Sequence, residues 1–270
     1  MLDFKLSIEA YHAMAPVSKS QLDDINVSPF HFYSRHRDPN RPPRETRSGQ
    51  LEGQLAHCAI LEPDAFATRY VIGPSVHRGT KAWKEFVEAH PHQVAIQQDQ
   101  ADIAWHQSNA VWSITDIGDA LSAGKAEVSA FWTDPDTGIE CRCRPDFVHE
   151  LDNTSVVLLD VKTFSSADPD EFRRQAARKR YHVQAAYYTD GYAAASGIDV
   201  AAFIFVAVET EWPYAASALM LTPESIEQGR ADYLRNLRTY ARCMETGEWP
   251  GYARDITMIS LPQWAFNDEA

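Results

Sequence analysis

The chain has 270 residues, of which 44% are hydrophobic and 23% charged, as in an ordinary globular protein with one large domain or two small ones. No stretch approaches the roughly twenty apolar residues that a membrane-spanning helix requires. The N-terminal sequence MLDFKLSIEAYH has an early acid and no apolar core, so it does not resemble a secretory signal. We therefore expect a cytoplasmic protein with no membrane partner.

Charge is distributed unevenly, and the net value of −13 at pH 7 hides two basic islands. An acidic protein suits DNA poorly unless positive charge is concentrated where the phosphates lie. Residues 31–50 contain five arginines against two acids, and residues 171–182 contain five basic residues against one acid. Such islands could guide a DNA strand to a cleft, although runs of charge are as often solvated helix faces. The basic residues are Arg35, Arg37, Arg41, Arg44 and Arg47 in the first island, and Arg173, Arg174, Arg178, Lys179 and Arg180 in the second.

The four cysteines, Cys58, Cys141, Cys143 and Cys243, lack the spacing of a disulfide framework or a zinc site. Cys141 and Cys143 lie two positions apart and would share one face of a strand. Small buried residues in a reducing compartment are the simpler interpretation.

Residues 1–125 have the pattern of a mostly helical portion with irregular connections. Ser18 and Gln21 occupy the two positions of a capping box, which predicts the start of a short helix. A proline-rich loop is expected next, and helical spacing of apolar residues follows it. The loop is predicted at 38–47, and the helices at 49–61, about 80–90 and 99–123.

After residue 125 the apolar pattern changes to period two, which is typical of strands. Asp168 is a predicted helix N-cap, and the helical pattern after it has a break near Arg180 and Tyr181. We expect one α/β domain over residues 1–270, with a mostly helical portion at 1–125 and a sheet-containing core at 126–250. The strands are predicted at 126–133, 139–147, 156–163, 200–209 and 214–221, and the helices at 168–197 and 223–246.

Two charged residues interrupt the strongly apolar strand predicted at 156–163. Asp160 and Lys162 are two positions apart and must project from the same face. If the strand carrying Asp146 pairs alongside, two carboxylates and one ammonium group meet on one face of the sheet. Burying these charges is costly without a partner or a metal. A salt bridge of Lys162 with Asp146 or Asp160 is the simpler alternative to a metal site.

These residue types suit metal-dependent hydrolysis of a phosphodiester. Carboxylate oxygens hold Mg²⁺, which can stabilise charge and activate water. Lys162 would lie beside the attacking water or the scissile phosphate. The carbonyl of Val161 is a further candidate ligand, because its side chain faces the other way. The combination predicts a metal-dependent nuclease.

Four other residues could lie in the same cleft. Glu127, at the start of the preceding strand, could supply an outer carboxylate, or it could be an exposed strand-end acid. His57 lies beside the apolar stripe of the helix predicted at 49–61, where a histidine is more often structural. Gln184 and Tyr188 are four apart and share a helix face, from which they could contact a DNA phosphate or base edge.

Four segments together resemble the PD-(D/E)xK nuclease superfamily: GQLAHCAILEP, RPD, LLDVKT and YHVQAAYY, in that order along the chain. More closely, they are similar to the nuclease domain of exodeoxyribonuclease VIII (RecE) and its prophage relatives, from about Val17 to the closing helix. The resemblance implies a restriction-endonuclease-like core, in which a central mixed sheet is flanked by helices.

The resemblance also implies roles for individual residues. Asp146 and Asp160 would be metal ligands, Lys162 the catalytic lysine and His57 a metal-proximal histidine. Asp160 stands where Glu is commoner, a variation that occurs within the RecE group. Gln184 and Tyr188 match a helix motif that contacts DNA. The predicted DNA-binding set is completed by Arg144, Arg173, Arg174 and Arg178.

The activity implied by the resemblance is ATP-independent, Mg²⁺-dependent (or Mn²⁺-dependent) 5′→3′ digestion of one strand of linear duplex DNA. It would leave a 3′ overhang for an annealing recombinase partner, and the enzyme would form a homo-oligomer, for which relatives provide the example of a ring. No iron–sulfur cluster is expected, because Cys243 has no clustered C-terminal cysteines around it. No phosphate loop is present for ATP. A catalytically silent DNA-binding or scaffold protein and a restriction-type endonuclease remain alternatives.

Overall fold

The computed structural model describes residues 1–42, 49–253 and 255–266, in which most of the helices come first and most of the longer strands follow. Arg44 and Arg47 of the first basic island, and part of the predicted loop at 38–47, lie outside these residues. The helices are α1 (Ile8–Ala13), α2 (Lys19–Val27), α3 (Pro29–His36), α4 (Gln50–Leu61), α5 (Pro63–Arg69), α6 (Lys81–Ala89), α7 (Gln98–Trp112), α8 (Thr115–Ser122), α9 (Pro169–Arg178), α10 (Tyr181–Ser196) and α11 (Pro223–Thr246). The strands are β1 (Leu2–Asp3), β2 (Val17–Ser18), β3 (Tyr70–Ile72), β4 (Val94–Ile96), β5 (Gly124–Ala126), β6 (Ser129–Thr133), β7 (Glu140–Cys143), β8 (Phe147–Glu150), β9 (Ser155–Phe164), β10 (Asp199–Glu209) and β11 (Ala216–Leu219).

The central sheet has five strands in the order β11-β10-β9-β8-β5. Strands β9 and β10 are parallel, and the other neighbours are antiparallel, so the sheet is mixed. The central strands have nearly continuous apolar runs because helices cover both faces. The predicted mixed sheet flanked by helices is therefore confirmed.

Side chains of β9 alternate between two hydrophobic cores. Leu158 belongs to the core that includes Val183 of α10. Leu159 and Val161 belong to the core that includes Ala56 of α4. By this alternation Asp160 lies on the α10 side of the sheet and the Val161 side chain on the α4 side.

A second, four-stranded sheet has the order β1-β6-β7-β2. It contains the hairpin of β6 and β7, and two short strands of the N-terminal portion that the sequence pattern did not predict. The predicted strands at 126–133 and 139–147 are wrong as continuous strands. Each is divided between the two sheets: β5 and β8 pair in the central sheet, whereas β6 and β7 pair in the second.

Both chain segments change sheets at the same place, which we call the crossover (residues 127–128 and 144–146). Pro145 lacks an N–H group and cannot donate to a strand ladder, which favours a break there. Glu127 has a positive φ of 57°, and its N–H donates to the Asp146 carbonyl at 2.8 Å. Asp146 therefore lies in the crossover just before β8, and not within a strand as predicted.

Two other boundaries differ from the prediction. The helix at 99–123 is two helices, because Ile114 is extended and the side chains of Ile117 and Leu121 in α8 then pack into the core beside Phe147. The strand at 214–221 is shorter, since Tyr214 has a positive φ of 58° and β11 begins after it.

Helix-start and helix-break predictions are confirmed. The Ser18 N–H donates to the Gln21 side chain at 2.9 Å, and the Asp168 carboxylate accepts two N–H bonds from the first turn of α9. The break between α9 and α10 falls at Arg180, which has a φ of 58°. Within the described ranges, no helix is both long and apolar enough to cross a membrane.

Helices α10 and α11 approach closely at Gly229. A Cβ atom at this position would collide with the carbonyl oxygen of His182 in α10.

We expect Gly229→Ala to lower the free energy of unfolding by about 1–3 kcal/mol, because neither backbone can move away without disturbing the core. Urea denaturation measures this change. Gly53→Ala in α4 is the control: its Cβ has room, so the helix propensity of alanine should raise stability by roughly 0.5 kcal/mol. Equal stability of Gly229→Ala and the parent protein would contradict the close packing.

Candidate metal centre and catalytic site

Asp160 and Lys162 meet at the α10 face of β9, as their spacing predicted. The side chain of Asp160 is only 2% exposed, and its Oδ2 atom contacts the Lys162 ammonium group. Gln184 of α10 donates from Nε2 to Asp160 Oδ1 at 2.5 Å. Oδ2 is buried without a well-directed hydrogen bond. The salt bridge of Asp160 with Lys162, which the sequence left as the simpler alternative to a metal site, is therefore present, and the Oδ2 atom has no hydrogen-bond partner beside it.

Asp146, which lies in the crossover, is held against the backbone of β9. Its Oδ2 atom accepts the Val161 N–H at 2.7 Å and lies 3.6 Å from Nδ1 of His57. This N–H is available because β8 begins only at Phe147, so its pairing with β9 stops at Leu159. His57 projects from α4 toward the Val161 main chain. The crossover and α4 therefore meet at one point of β9.

A third carboxylate completes a potential metal centre. Ligand atoms of His57, Glu127 and Asp146 all lie within 4.8 Å of one another. One imidazole nitrogen and two carboxylates form a donor set that suits a divalent cation. The Asp160 carboxylate, whose Oδ2 atom contacts Lys162, lies near enough to act on the charge of Asp146 and could offer a cation a further oxygen. These residues fit the divalent metal that the sequence predicted, and Glu127, predicted as an outer carboxylate, lies within the same cluster as His57 and Asp146.

Electrostatics at the site also favour a bound cation. Burial and the nearby charge of Asp160 raise the pKa of Asp146 well above its ordinary value. Burial likewise raises the pKa of Glu127, against the effect of Arg144. Burial and Lys162 lower the pKa of His57 to about 4, so its imidazole is neutral and can act as a ligand at neutral pH. A cation would relieve the repulsion between these crowded carboxylates.

The ammonium group of Lys162 is held in its charged form. Burial would lower its pKa, but the carboxylates of Asp160 and Asp146 outweigh burial and raise it. The Tyr181 ring lies 4.8 Å from the ammonium nitrogen, a cation–π contact. Sequence reasoning missed Tyr181, although it lies three residues before Gln184 and so on a neighbouring part of the same helix face.

The predicted DNA-binding residues divide into two groups. Gln184 is buried against Asp160, Tyr188 packs edge-on against Phe203, and the Arg144 side chain is only 11% exposed. These three contact the protein interior. Arg173, Arg174 and Arg178 are exposed on α9.

Helix α9, which carries the exposed group, packs against the candidate site through its buried face. Phe172 of α9 stacks on Tyr181, the residue that contacts Lys162. Arg173 and Arg174 have acidic partners one turn away, Asp170 and Glu171, and such exposed pairs are weak. Phosphates could therefore displace these partners at little cost.

Replacing Asp146 tests the electrostatic description. Its raised pKa means that the ionised carboxylate destabilises the metal-free fold increasingly as the pH rises through that pKa. Asp146→Asn keeps an acceptor for the Val161 N–H and removes the charge. At pH 7 and without metal, we expect the free energy of unfolding of the variant to exceed that of the parent protein by about 1 kcal/mol or more. Addition of Mn²⁺ should raise the Tm of the parent protein and leave that of the variant almost unchanged.

Thermal unfolding in EDTA and in Mn²⁺ measures both effects. The matched control is Glu150→Gln, an exposed acid of the central sheet that should respond like the parent protein. An Asp146→Asn protein that is less stable without metal, or stabilised by Mn²⁺ as much as the parent, would contradict the assignment.

Comparisons with solved structures support the fold. The chain is similar to a crystallised "Putative exonuclease" from Eubacterium rectale, with 11% identity, a TM-score of 0.61, and coverage of 99% of this chain and 100% of the other. An alkaline exonuclease from Laribacter hongkongensis also matches, at 13% identity over 68% of this chain and 97% of the other, but its TM-score of 0.28 is too low to indicate a shared fold. Among curated proteins, no significant match is found.

Family assignment follows from the sequence match. Residues 18–262 match the model of a family described as a PDDEXK-like domain of unknown function (DUF3799). This range includes all the candidate metal ligands, Lys162 and Gln184, and members of the PD-(D/E)xK superfamily use divalent metals. The chain belongs to this PDDEXK-like family and has the fold of a PD-(D/E)xK nuclease.

Proposed function

We propose that this protein is a metal-dependent deoxyribonuclease that digests linear duplex DNA from a free end. The observation that carries the proposal is the buried Asp160 carboxylate, held between Lys162 and Gln184 and adjacent to the cluster of His57, Glu127 and Asp146. Such an arrangement costs folding free energy, because like charges are brought together out of water. A catalytic role explains why the chain keeps it.

Residues of the chain divide the work of hydrolysis. His57, Glu127, Asp146, Asp160 and the Val161 carbonyl would hold Mg²⁺, or Mn²⁺ in its place. When bound, the cation supplies Lewis-acid stabilisation of the charge that develops on the phosphate. Gln184 fixes the orientation of Asp160, and the Val161 N–H fixes that of Asp146. The Lys162 ammonium group orients the attacking water and offsets negative charge on the scissile phosphate.

The finer features of the proposal come from the resemblance to exodeoxyribonuclease VIII. They are 5′→3′ polarity, 3′ overhangs for recombination with an annealing recombinase, independence of ATP and assembly into a ring-shaped homo-oligomer. A restriction-type endonuclease would use the same site chemistry. Covalently closed circular DNA separates the two, since an exonuclease leaves it intact while degrading the linear form, and end-labelled duplexes then give the polarity.

Lys162 is the most direct target for mutation. We expect Lys162→Ala to lower kcat on linear duplex DNA by about 100-fold or more, because it removes a preorganised positive group from the transition state. Affinity for Mn²⁺ should not fall, since the change removes a cation that competes for Asp160. Gel assays of DNA digestion measure kcat, and calorimetry measures the affinity for Mn²⁺.

Lys125→Ala, at an exposed lysine of the same sheet, is the control and should be fully active. Full activity of Lys162→Ala would refute the proposal, whereas DNA binding without cleavage by the parent protein would favour a scaffold role.

Arginines of α9 provide a second test through salt dependence. Each phosphate contact contributes about 0.9 to the slope of log affinity against log salt concentration. In a Lys162→Ala background, which leaves the DNA intact, we expect Arg173→Gln with Arg178→Gln to reduce this slope by about 2. Fluorescence anisotropy over a salt series measures it. Arg238→Gln, at an exposed arginine of α11, should leave the slope unchanged, and an unchanged slope in the double variant would exclude α9 from the DNA interface.

A further inference from the structure

The guanidinium group of Arg144 joins three parts of the chain. Its Nε donates to Oε2 of Glu127 at 2.6 Å, and its Nη1 donates to the Leu6 carbonyl and to Oγ of Ser129, both at 2.9 Å. Arg144 is 11% exposed, and Ser129 is fully buried. A buried arginine with three acceptors in fixed directions is held far more rigidly than a surface arginine.

Glu127 is thereby fixed at both its backbone and its side chain. Its N–H donates to the Asp146 carbonyl at 2.8 Å, which joins the backbones of two candidate metal ligands across the crossover. Its φ of 57° is unusual for a residue with a side chain, so the surrounding contacts must hold it. Only the carboxylate could still rotate, and the bond from Arg144 removes that freedom.

The N-terminal segment (residues 1–14) supports Arg144 from the other side. Leu6 supplies a carbonyl acceptor, and the buried ring of Tyr11 lies 5.7 Å from the guanidinium carbon. The Met1 amino group donates to the carbonyls of Phe131 and Ala195, both at 2.8 Å. The segment is therefore anchored to β6 and α10, and Arg144 connects it to the metal centre.

We infer that Arg144 is a positioning residue that holds the Glu127 carboxylate in place for the cation and couples the docked N-terminal segment to metal affinity. This inference rests on the proposed function, because it assigns Glu127 to the metal centre of that site. It replaces the predicted role of Arg144 in DNA binding. A DNA ligand needs an exposed cationic group, whereas every described contact of Arg144 is inside the protein.

Metal affinity in the absence of DNA tests the inference directly. Calorimetric titration with Mn²⁺ is carried out on the parent protein, Arg144→Gln, Glu127→Gln and the double variant. Loss of an outer-shell partner typically lowers metal affinity 10- to 100-fold, so we expect Arg144→Gln to weaken Mn²⁺ binding by about tenfold. Because Arg144 acts through Glu127, the double variant should bind Mn²⁺ no more weakly than Glu127→Gln alone. Losses that multiply in the double variant, or no loss in Arg144→Gln, would overturn the inference.

Two milder variants keep the test decisive if Arg144→Gln does not fold. Arg144→Lys retains the charge but has a single nitrogen in place of the planar fork, so we expect Mn²⁺ affinity between those of the parent and Arg144→Gln. Ser129→Ala removes one acceptor and should weaken Mn²⁺ binding by about twofold. Parent-like affinity in both folded variants would overturn the inference.

Kinetics distinguish positioning from DNA binding. Arg144→Lys should require more Mn²⁺ for half-maximal activity, regain the parent kcat at saturating Mn²⁺ and keep the parent KM for DNA. A raised KM that saturating Mn²⁺ does not restore would overturn the inference and return Arg144 to the DNA interface.

Failure of the inference and failure of the proposed function give different results. The protein could bind Mn²⁺ with non-additive losses in Arg144→Gln and Glu127→Gln and yet not cleave DNA. That result would refute the proposed nuclease function and support the positioning role of Arg144. If the parent protein cleaves DNA but the losses of Mn²⁺ affinity in the two single variants multiply in the double variant, only the positioning role is refuted. A parent protein that binds no Mn²⁺ would refute both.

Discussion

The hydrogen bond from the Val161 N–H to the Asp146 carboxylate, 2.7 Å long, is the interaction on which the site depends. It joins the crossover to β9 at the position between Asp160 and Lys162. The bond exists because β8 starts late and leaves this N–H free of the strand ladder. This bond directs the Asp146 carboxylate toward β9, where a cation shared with Asp160 would need it.

Crowding of negative charge in this place is offset by fixed partners on every side. Lys162 and Gln184 contact Asp160, Arg144 contacts Glu127, and the backbone contacts Asp146. The partners come from β9, from α10 and from the crossover, so the site requires these parts of the fold to be assembled. The remaining repulsion, expressed in the raised pKa of Asp146, is free energy that a bound cation would recover. Under the proposed function, stability and metal binding would therefore be linked.

The alternation of side chains along strands and the helix-capping residues predicted those features of the fold that depend on local sequence. The shared face of Asp160 and Lys162, the N-cap at Asp168 and the break at Arg180 follow from residues a few positions apart. The crossover could not be predicted in this way, because a strand that changes sheets keeps the same alternation of apolar residues. Pro145 was the available signal. The contact of Arg144 with Leu6 joins residues 138 positions apart, which no local pattern specifies.

A crystal soaked in Mn²⁺ provides the most direct test of the central claim, that the buried carboxylates form one metal centre. Anomalous scattering identifies the ion independently of any assumption about ligands. We predict a strong anomalous peak that contacts both Asp146 and Asp160, with His57 or Glu127 completing the coordination. A peak that contacts neither aspartate, or an undisturbed Asp160–Lys162 ion pair with no peak at saturating Mn²⁺, would contradict the account.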